Sequence, residues 1–248
     1  MLTFKMSTQR ESITHRSALV VAHPDDEALW FSSVLEHVNL VLFCFPKCPL
    51  NPVWSNGRER VLNEYPMRNI RSLGLAQAGV FEGAGHWQDP RPSGYGMQLR
   101  PDCESLDAYQ NNYDRLAERL KEELADIDNI ITHNPWGEYG HVEHIQVYQA
   151  LKSLQSIFGY NLWFSNYCSN RSVSFMSHFV NGYSTKYIQL PVNLGLAHRL
   201  RGLYLRHDCW TWYDDYEWFS EESFMQDPGY LTRQKPTGRI FPVNYVKI

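Results

Sequence analysis

The chain lacks several features that would assign it to a specialised class of protein. No basic run exceeds two residues and the formal net charge is −4, whereas a duplex-binding surface needs clustered cations. No apolar run reaches about 18 residues, so we expect no membrane span. The polar segment 1–16 has no apolar core of a secretory signal. We therefore expect no nucleic-acid partner and no membrane span; the sequence leaves a homo-oligomer open.

Cysteine is sparse, and its five positions form no CxxC pair. An odd, scattered set of cysteines favours reduced thiols and a cytoplasmic location. Cys44 and Cys48 are close enough to be considered as metal ligands, but no second pair follows them. We interpret them as thiols at the end of a strand.

Two common catalytic signatures are also missing. The chain has no GxxxxGK[ST] loop, and Gly83-Ala84-Gly85 does not complete GxGxxG. It has no GxSxG nucleophile elbow either. These absences argue against a nucleotide-using enzyme and a serine hydrolase.

Short apolar runs alternate with helical patterns along most of the 248 residues. The pattern predicts strands at 17–22, 39–45, 79–82, 128–132, 161–165 and 187–190. It predicts helices at about 28–37, 58–75 with a break at Pro66, 113–125, 141–158 and 194–207. Residues 83–112 read as a long loop, typical of a functional lid.

This alternation predicts an α/β fold, a Rossmann-like three-layer sandwich with a mostly parallel sheet. We expect one α/β domain over 1–248, with an N-terminal extension at 1–16 and a tail of uncertain structure at 208–248. Ligands of such folds bind beyond the carboxyl ends of strands. That rule indicates two loops, 23–27 and 133–144.

The two loops carry residues that suit a metal. The first reads His23-Pro24-Asp25-Asp26-Glu27, and the second ends in His141-Val142-Glu143-His144. Two histidines and one carboxylate are the ligand set of catalytic zinc sites, and iron(II) oxygenases use the same set. Taken singly, the first loop also reads as acidic helix capping beside a lone histidine, and the second as a surface histidine pair.

These residues resemble the PIG-L/LmbE-like zinc-dependent de-N-acetylase family. Residues 22–27 match its signature AHPDDE, and 141–144 are similar to its second motif, HPDH. The resemblance implies Zn²⁺ held by His23, Asp26 and His144, with Asp25 as the general base. It implies that His141 stabilises the oxyanion or protonates the leaving amine.

The resemblance also suggests residues that bind substrate. Tyr139 stands where a tyrosine assists in some members, and Arg58 or Arg60 and Asp89 are candidates for holding the sugar. Trp136, with Trp87 and Tyr95, suits stacking on a sugar ring, although each of them also suits packing. Val142-Glu143 departs from the Pro-Asp of the family motif, so contacts behind the ligands are expected to differ.

The implied activity is a metal-dependent N-deacetylase acting on a small N-acetylated amino sugar or its conjugate, releasing acetate and a free amine. Two alternatives stay open. One is an amidase or deformylase on another small amide, and the other is a sugar-binding protein without catalysis on the same fold.

Overall fold

The structure, a computed structural model, describes residues 9–81, 87–179, 187–227 and 241–248. Its strands are β1 (Ser17–Val21), β2 (Leu40–Phe43), β3 (Ile70–Ser72), β4 (Pro92–Ser93), β5 (Gly96–Met97), β6 (Asn129–Thr132), β7 (Asn161–Ser165), β8 (Tyr167–Ser169), β9 (Tyr187–Pro191), β10 (Glu221–Gln226) and β11 (Asn244–Val246). Its helices are α1 (Asp26–Trp30), α2 (Pro52–Asn63), α3 (Leu106–Glu123), α4 (Val142–Phe158), α5 (Val173–Met176) and α6 (Leu194–Arg206).

Seven strands form the central sheet in the order β3-β2-β1-β6-β7-β10-β9. The pairs from β3 to β7 are parallel, and β10 runs antiparallel to both of its neighbours. Chain order reverses between β1 and β6, because β2 and β3 extend to one side and β7 to the other. Such a reversal opens a crevice at the carboxyl ends of the two central strands.

Helices cover both faces of this sheet. Along β1, Ala18 and Val20 point into the core shared with α3 and α4. Leu19 and Val21 point into the opposite core, which α1, α2 and α6 close. All these side chains are fully buried, as expected for a strand covered on both faces. The α/β three-layer prediction with a mostly parallel sheet is confirmed.

Several element boundaries differ from the prediction. Helix α2 begins at Pro52 and ends at Asn63, because the Asn51 side chain accepts a hydrogen bond from the Trp54 amide and proline occupies the first turn. Residues 70–72, predicted as helix, form β3. Helix α3 begins at Leu106, inside the predicted loop. Residues 79–81 form no strand, and Glu82 lies outside the described residues.

Part of the tail at 208–248 completes the sheet. Strand β10 lies between β7 and β9, and β11 pairs in parallel with β8 in a separate two-stranded sheet. In the described part of the chain, no helix is both long and apolar enough to cross a membrane. The single domain over 1–248 stays a prediction.

Candidate metal centre

The first motif loop, residues 23–27, lies immediately beyond β1. Proline at 24 disfavours helix for the residue before it, so the chain stays extended through His23 before it turns. The backbone N–H of His23 donates to Asp26 Oδ2 at 2.7 Å, which places that carboxylate under the strand end. Asp25 has φ 116°, in the region that favours glycine. His23, Asp25 and Asp26 are all at least 97% buried.

The second motif loop, residues 133–144, joins β6 to α4. His141 caps the helix, since its Nδ1 accepts a hydrogen bond from the Glu143 amide. His144 therefore lies in the first turn, directed at the crevice between β1 and β6. It is fully buried.

His23, Asp26 and His144 converge as the resemblance implies. His23 Nδ1 lies 3.4 Å from Asp26 Oδ2, and His144 Nε2 lies 3.2 Å from Asp26 Oδ1. The two ring nitrogens are 3.3 Å apart. A tetrahedral zinc ion with bonds of about 2.0–2.2 Å would separate its ligand atoms by about 3.3–3.6 Å. The donor atoms and their spacing therefore fit one tetrahedral metal ion.

Charge favours the ligand form of the carboxylate. Burial alone would raise the pKa of Asp26, yet this pKa lies well below the usual value, and the His23 backbone N–H that donates to Asp26 Oδ2 favours the ionised carboxylate. An ionised Asp26 beside two imidazoles is a suitable donor set for a divalent cation.

A second grouping of potential ligand atoms is formed by Asp26, His133 and His144, and His144 also belongs to a group with His23 and His141. The hydrogen bonds of His133 exclude it as a ligand. Its Nε2 accepts the Ala22 N–H at 2.8 Å, so the lone pair that a metal would need is already used.

The protonation state of His133 follows from that same bond. Burial lowers the pKa of its ring, but Glu138 and Asp26 together raise this pKa by more, to about 9. A proton on Nε2 would point at the Ala22 N–H, however, and two facing donors at 2.8 Å are destabilising. We therefore treat His133 as neutral, with its proton on Nδ1.

The departure from the family motif, Glu143, contacts His23. Glu143 Oε2 lies 3.0 Å from His23 Nε2, and Oε1 accepts the Ala78 amide at 2.6 Å. The carboxylate thus spans from the ligand to the segment 76–81. Burial lowers the pKa of His23, but its contacts with Asp26 and Glu143 raise it above the usual value. A partner on Nε2 leaves Nδ1 facing Asp26 and His144, as metal binding requires.

Asp25 lies beside the converged ligands with its carboxylate at the cavity surface. Burial raises its pKa to about 6, although the Arg58 charge opposes this rise. The hydroxyl of Thr211 donates to Asp25 Oδ2. A carboxylate whose pKa lies near neutrality is suited to accept and return a proton.

His141 also lines the cavity and is neutral. Burial is the main cause that lowers the pKa of its ring well below the usual value. Because Nδ1 accepts the Glu143 amide, the proton of the neutral ring lies on Nε2. Phe81 stacks on the ring, with centroids 4.8 Å apart and an interplanar angle of 18°. His141 can therefore donate a hydrogen bond.

The cavity has a volume of about 700 Å³. His23 reaches its surface, while Asp26 and His144 contact His23 from the interior. Its other walls include Leu50, Trp54, Arg58, Phe81, Tyr139, Arg171, Thr211, Trp212 and Tyr213. This volume suits a ligand of sugar size, and the aromatic side chains suit stacking on a ring.

The predicted substrate residues divide into two groups. Tyr139 and Arg58 line the cavity. Arg58 is only 2% exposed, and its Nε and Nη1 have no hydrogen-bond partner among the described residues, so they are free to bind an oxygen-rich ligand.

The second group lies elsewhere. Arg60 is exposed on the other side of α2, since it stands two residues from Arg58. Asp89 is exposed and pairs with Arg91 at 2.6 Å. Trp136 is fully buried in the core, where its Nε1 donates to the Tyr167 carbonyl at 2.7 Å. These three predictions place substrate contacts outside the cavity, and the geometry does not support them. Trp87 and Tyr95 do not line the cavity either.

Sequence reasoning missed Thr211, Trp212 and Tyr213, which come from the tail, and the buried Glu138. The tail carries no motif, so nothing in the sequence connects Thr211 with Asp25 across 186 positions. Glu138 had a signal that was overlooked, because an acid between two histidines of one loop is well placed to contact both.

No family model matches the chain. The 1D-myo-inositol 2-acetamido-2-deoxy-alpha-D-glucopyranoside deacetylase of Corynebacterium diphtheriae is 29% identical over 164 residues, 56% of this chain and 52% of the relative. The enzyme of the same name from Thermobispora bispora is 26% identical over 153 residues, 54% of this chain and 49% of the relative. The chain thus spans about half the length of the curated relatives it matches.

Solved structures of deacetylases share the fold. The zinc-inhibited form of teicoplanin deacetylase Orf2 superposes with a TM-score of 0.53 and 12% identity, covering 84% of this chain and 97% of the other. The A40926 pseudoaglycone deacetylase Dbv21 gives 0.52 and 11%, covering 88% and 99%. At such low identity these structures indicate a shared fold and nothing about activity.

Proposed function

The chain's resemblance to PIG-L/LmbE-like de-N-acetylases is confirmed by its relatives, and from it we propose that this protein is a metal-dependent N-deacetylase. The single observation that carries the proposal is the convergence of His23, Asp26 and His144 beside Asp25, at the cavity. We propose an N-acetylated amino sugar or its conjugate as the substrate, zinc as the metal and the cytoplasm as the location.

The proposed mechanism assigns a separate task to each group. Zinc held by the three ligands would supply Lewis acidity and lower the pKa of water. Asp25 accepts the proton of the attacking water at its carboxylate, which Thr211 holds in place. His141 donates a hydrogen bond from Nε2 to the developing oxyanion.

The remaining steps use the same residues. Asp25, protonated in the first step, returns its proton to the departing amine, and acetate and the free amine are released. Arg58 and Tyr139 orient the sugar, while Trp54 and Trp212 offer faces for its ring. The aromatic walls limit access of bulk water to the reacting carbonyl.

Acetate release from a panel of N-acetylated amino sugars tests the proposal. We expect turnover of at least one sugar, loss of turnover with a chelator, and recovery when zinc is restored. His144→Ala should bind less than stoichiometric metal, because one of three ligands is removed.

Acetate release that continues at the same rate in the presence of the chelator would contradict the proposed metal dependence. Release of formate, or of an amine from a thiol conjugate, with none from acetylated sugars would favour the alternative amidase. Binding of the sugars without turnover would favour the non-catalytic alternative.

A further inference from the structure

Glu138 is a fully buried carboxylate that belongs to neither motif. Its Oε2 accepts from Nδ1 of His133 at 3.0 Å and from Nδ1 of His144 at 2.8 Å. Its Oε1 accepts from the Asn134 amide at 2.9 Å and from the Ser165 hydroxyl. All four partners are donors, and only an ionised carboxylate can accept from all of them.

These bonds determine the tautomers of both histidines. Because each Nδ1–H points at Glu138, each ring keeps its lone pair on Nε2. The lone pair of His133 accepts the Ala22 amide at 2.8 Å, at the end of β1. The lone pair of His144 faces His23 and Asp26, where the proposed metal would lie.

The backbone at Glu138 is strained, with φ at 49°. Non-glycine residues rarely adopt this conformation, and strain of this kind concentrates at functional sites. Glycine would adopt it freely, as Gly137 does next to it with φ 71°. The turn therefore does not need a glutamate, whereas the four hydrogen bonds do.

We propose that Glu138 is a positioning residue of the metal centre, whose carboxylate holds His144 in the Nδ1–H tautomer with Nε2 directed at His23 and Asp26. His133 links this carboxylate to the end of β1, next to His23. This inference rests on the proposed metal site. Partners of this kind on metal-binding histidines are worth about 10–100-fold in metal affinity.

Glu138→Gln and Glu138→Gly test the inference, with Glu222→Gln as the matched control. Glu222 is also fully buried and accepts four hydrogen bonds, from Ser32 and Ser33, away from the candidate ligands. Zinc affinity is measured by competition with a chromophoric chelator. We expect both Glu138 variants to bind zinc about 10–100-fold more weakly than wild type, and Glu222→Gln to stay within about twofold.

The glycine variant separates positioning from turn geometry. It relieves the backbone strain and removes the carboxylate, so a residue needed only for the turn would leave zinc affinity unchanged in Glu138→Gly. That result would overturn the inference. Far-UV circular dichroism verifies that each variant is folded.

A measurement without metal makes the outcome independent of the proposed function. In metal-free wild type, ¹⁵N-imidazole NMR should assign His144 to the Nδ1–H tautomer; assignment to Nε2–H would overturn the inference even if the variants fail to fold.

The zinc titration distinguishes failure of this inference from failure of the proposed function. Wild type that binds no zinc contradicts the proposed function alone. Wild type that binds zinc as tightly as both Glu138 variants contradicts this inference alone.

Discussion

The two motif loops contribute to the same centre but are held in place in different ways. In the first motif loop, distant residues donate to two of the three carboxylates. Glu27 accepts from the Tyr204 and Tyr65 hydroxyls at 2.7 and 3.0 Å, and Thr211 donates to Asp25. In the second motif loop the central carboxylate is local, because Glu138 lies within the loop and accepts from both His133 and His144. A motif that is easily recognised in sequence can thus depend on segments far from it.

The largest effect is expected in the first motif loop, where Asp25→Asn should remove activity and leave the fold of the loop intact. Asp25→Asn keeps the shape of the side chain and can still accept from Thr211, but it cannot take up a proton from water. We expect turnover to fall about 10²–10⁴-fold while zinc stoichiometry stays at the wild-type value. Steady-state kinetics with metal analysis of the same sample measure both. Turnover close to wild type would remove Asp25 from the role of base.

Glu143→Asp sharpens the comparison, since Glu143 is the point at which the second motif loop contacts the first. The shorter side chain cannot reach both His23 and the Ala78 amide, which Glu143 now bridges. We expect zinc to bind about tenfold more weakly, because His23 loses its orienting partner. Chelator competition measures this change.

Thermal unfolding of the metal-free protein serves as the control for Glu143→Asp. Zinc binding as tight as in wild type would show that the first loop orients His23 without help from the second.

The smallest expected effect tests how far the tail supports the first motif loop. Thr211→Val removes the hydroxyl that donates to Asp25 and preserves the shape of the side chain. We expect kcat to fall about fivefold with KM little changed, because a hydrogen bond contributes about 1 kcal/mol net.

Thr211→Ser is the matched control, because it restores the hydroxyl and should recover most of kcat. Equal losses in the valine and serine variants would indicate that packing, and not the hydrogen bond, is what Thr211 provides.

Much of the central sheet could be predicted, because strands buried on both faces leave a continuous apolar run. The run at 17–22 became β1, and that at 161–165 became β7. The predictions failed where a short local signal competed with a longer pattern. The Asn51-Pro52 pair begins α2 six residues before the expected start, and the chain beyond Pro66 forms β3 instead of helix.

The candidate site could be predicted only in part. The proposed ligands and base stand in two compact motifs that the α/β pattern places at strand ends, so their convergence could be anticipated. Arg58 and Arg60 could not be separated, because both are charged residues of one amphipathic helix and only its orientation on the sheet decides which faces the cavity. Trp136 is an aromatic residue of the kind that stacks on sugars, but it lies fully buried in the core.

The linear chain by itself determined the α/β class and the types of the residues that meet at the centre, since alternating apolar runs and short motifs are local properties. Tertiary structure alone decided which groups support them. Folding brings Thr211 to Asp25 across 186 positions, and it buries Glu138 between the His133 and His144 rings, where its carboxylate accepts from both. Both outcomes depend on distances between side chains, and these exist only once the chain has folded.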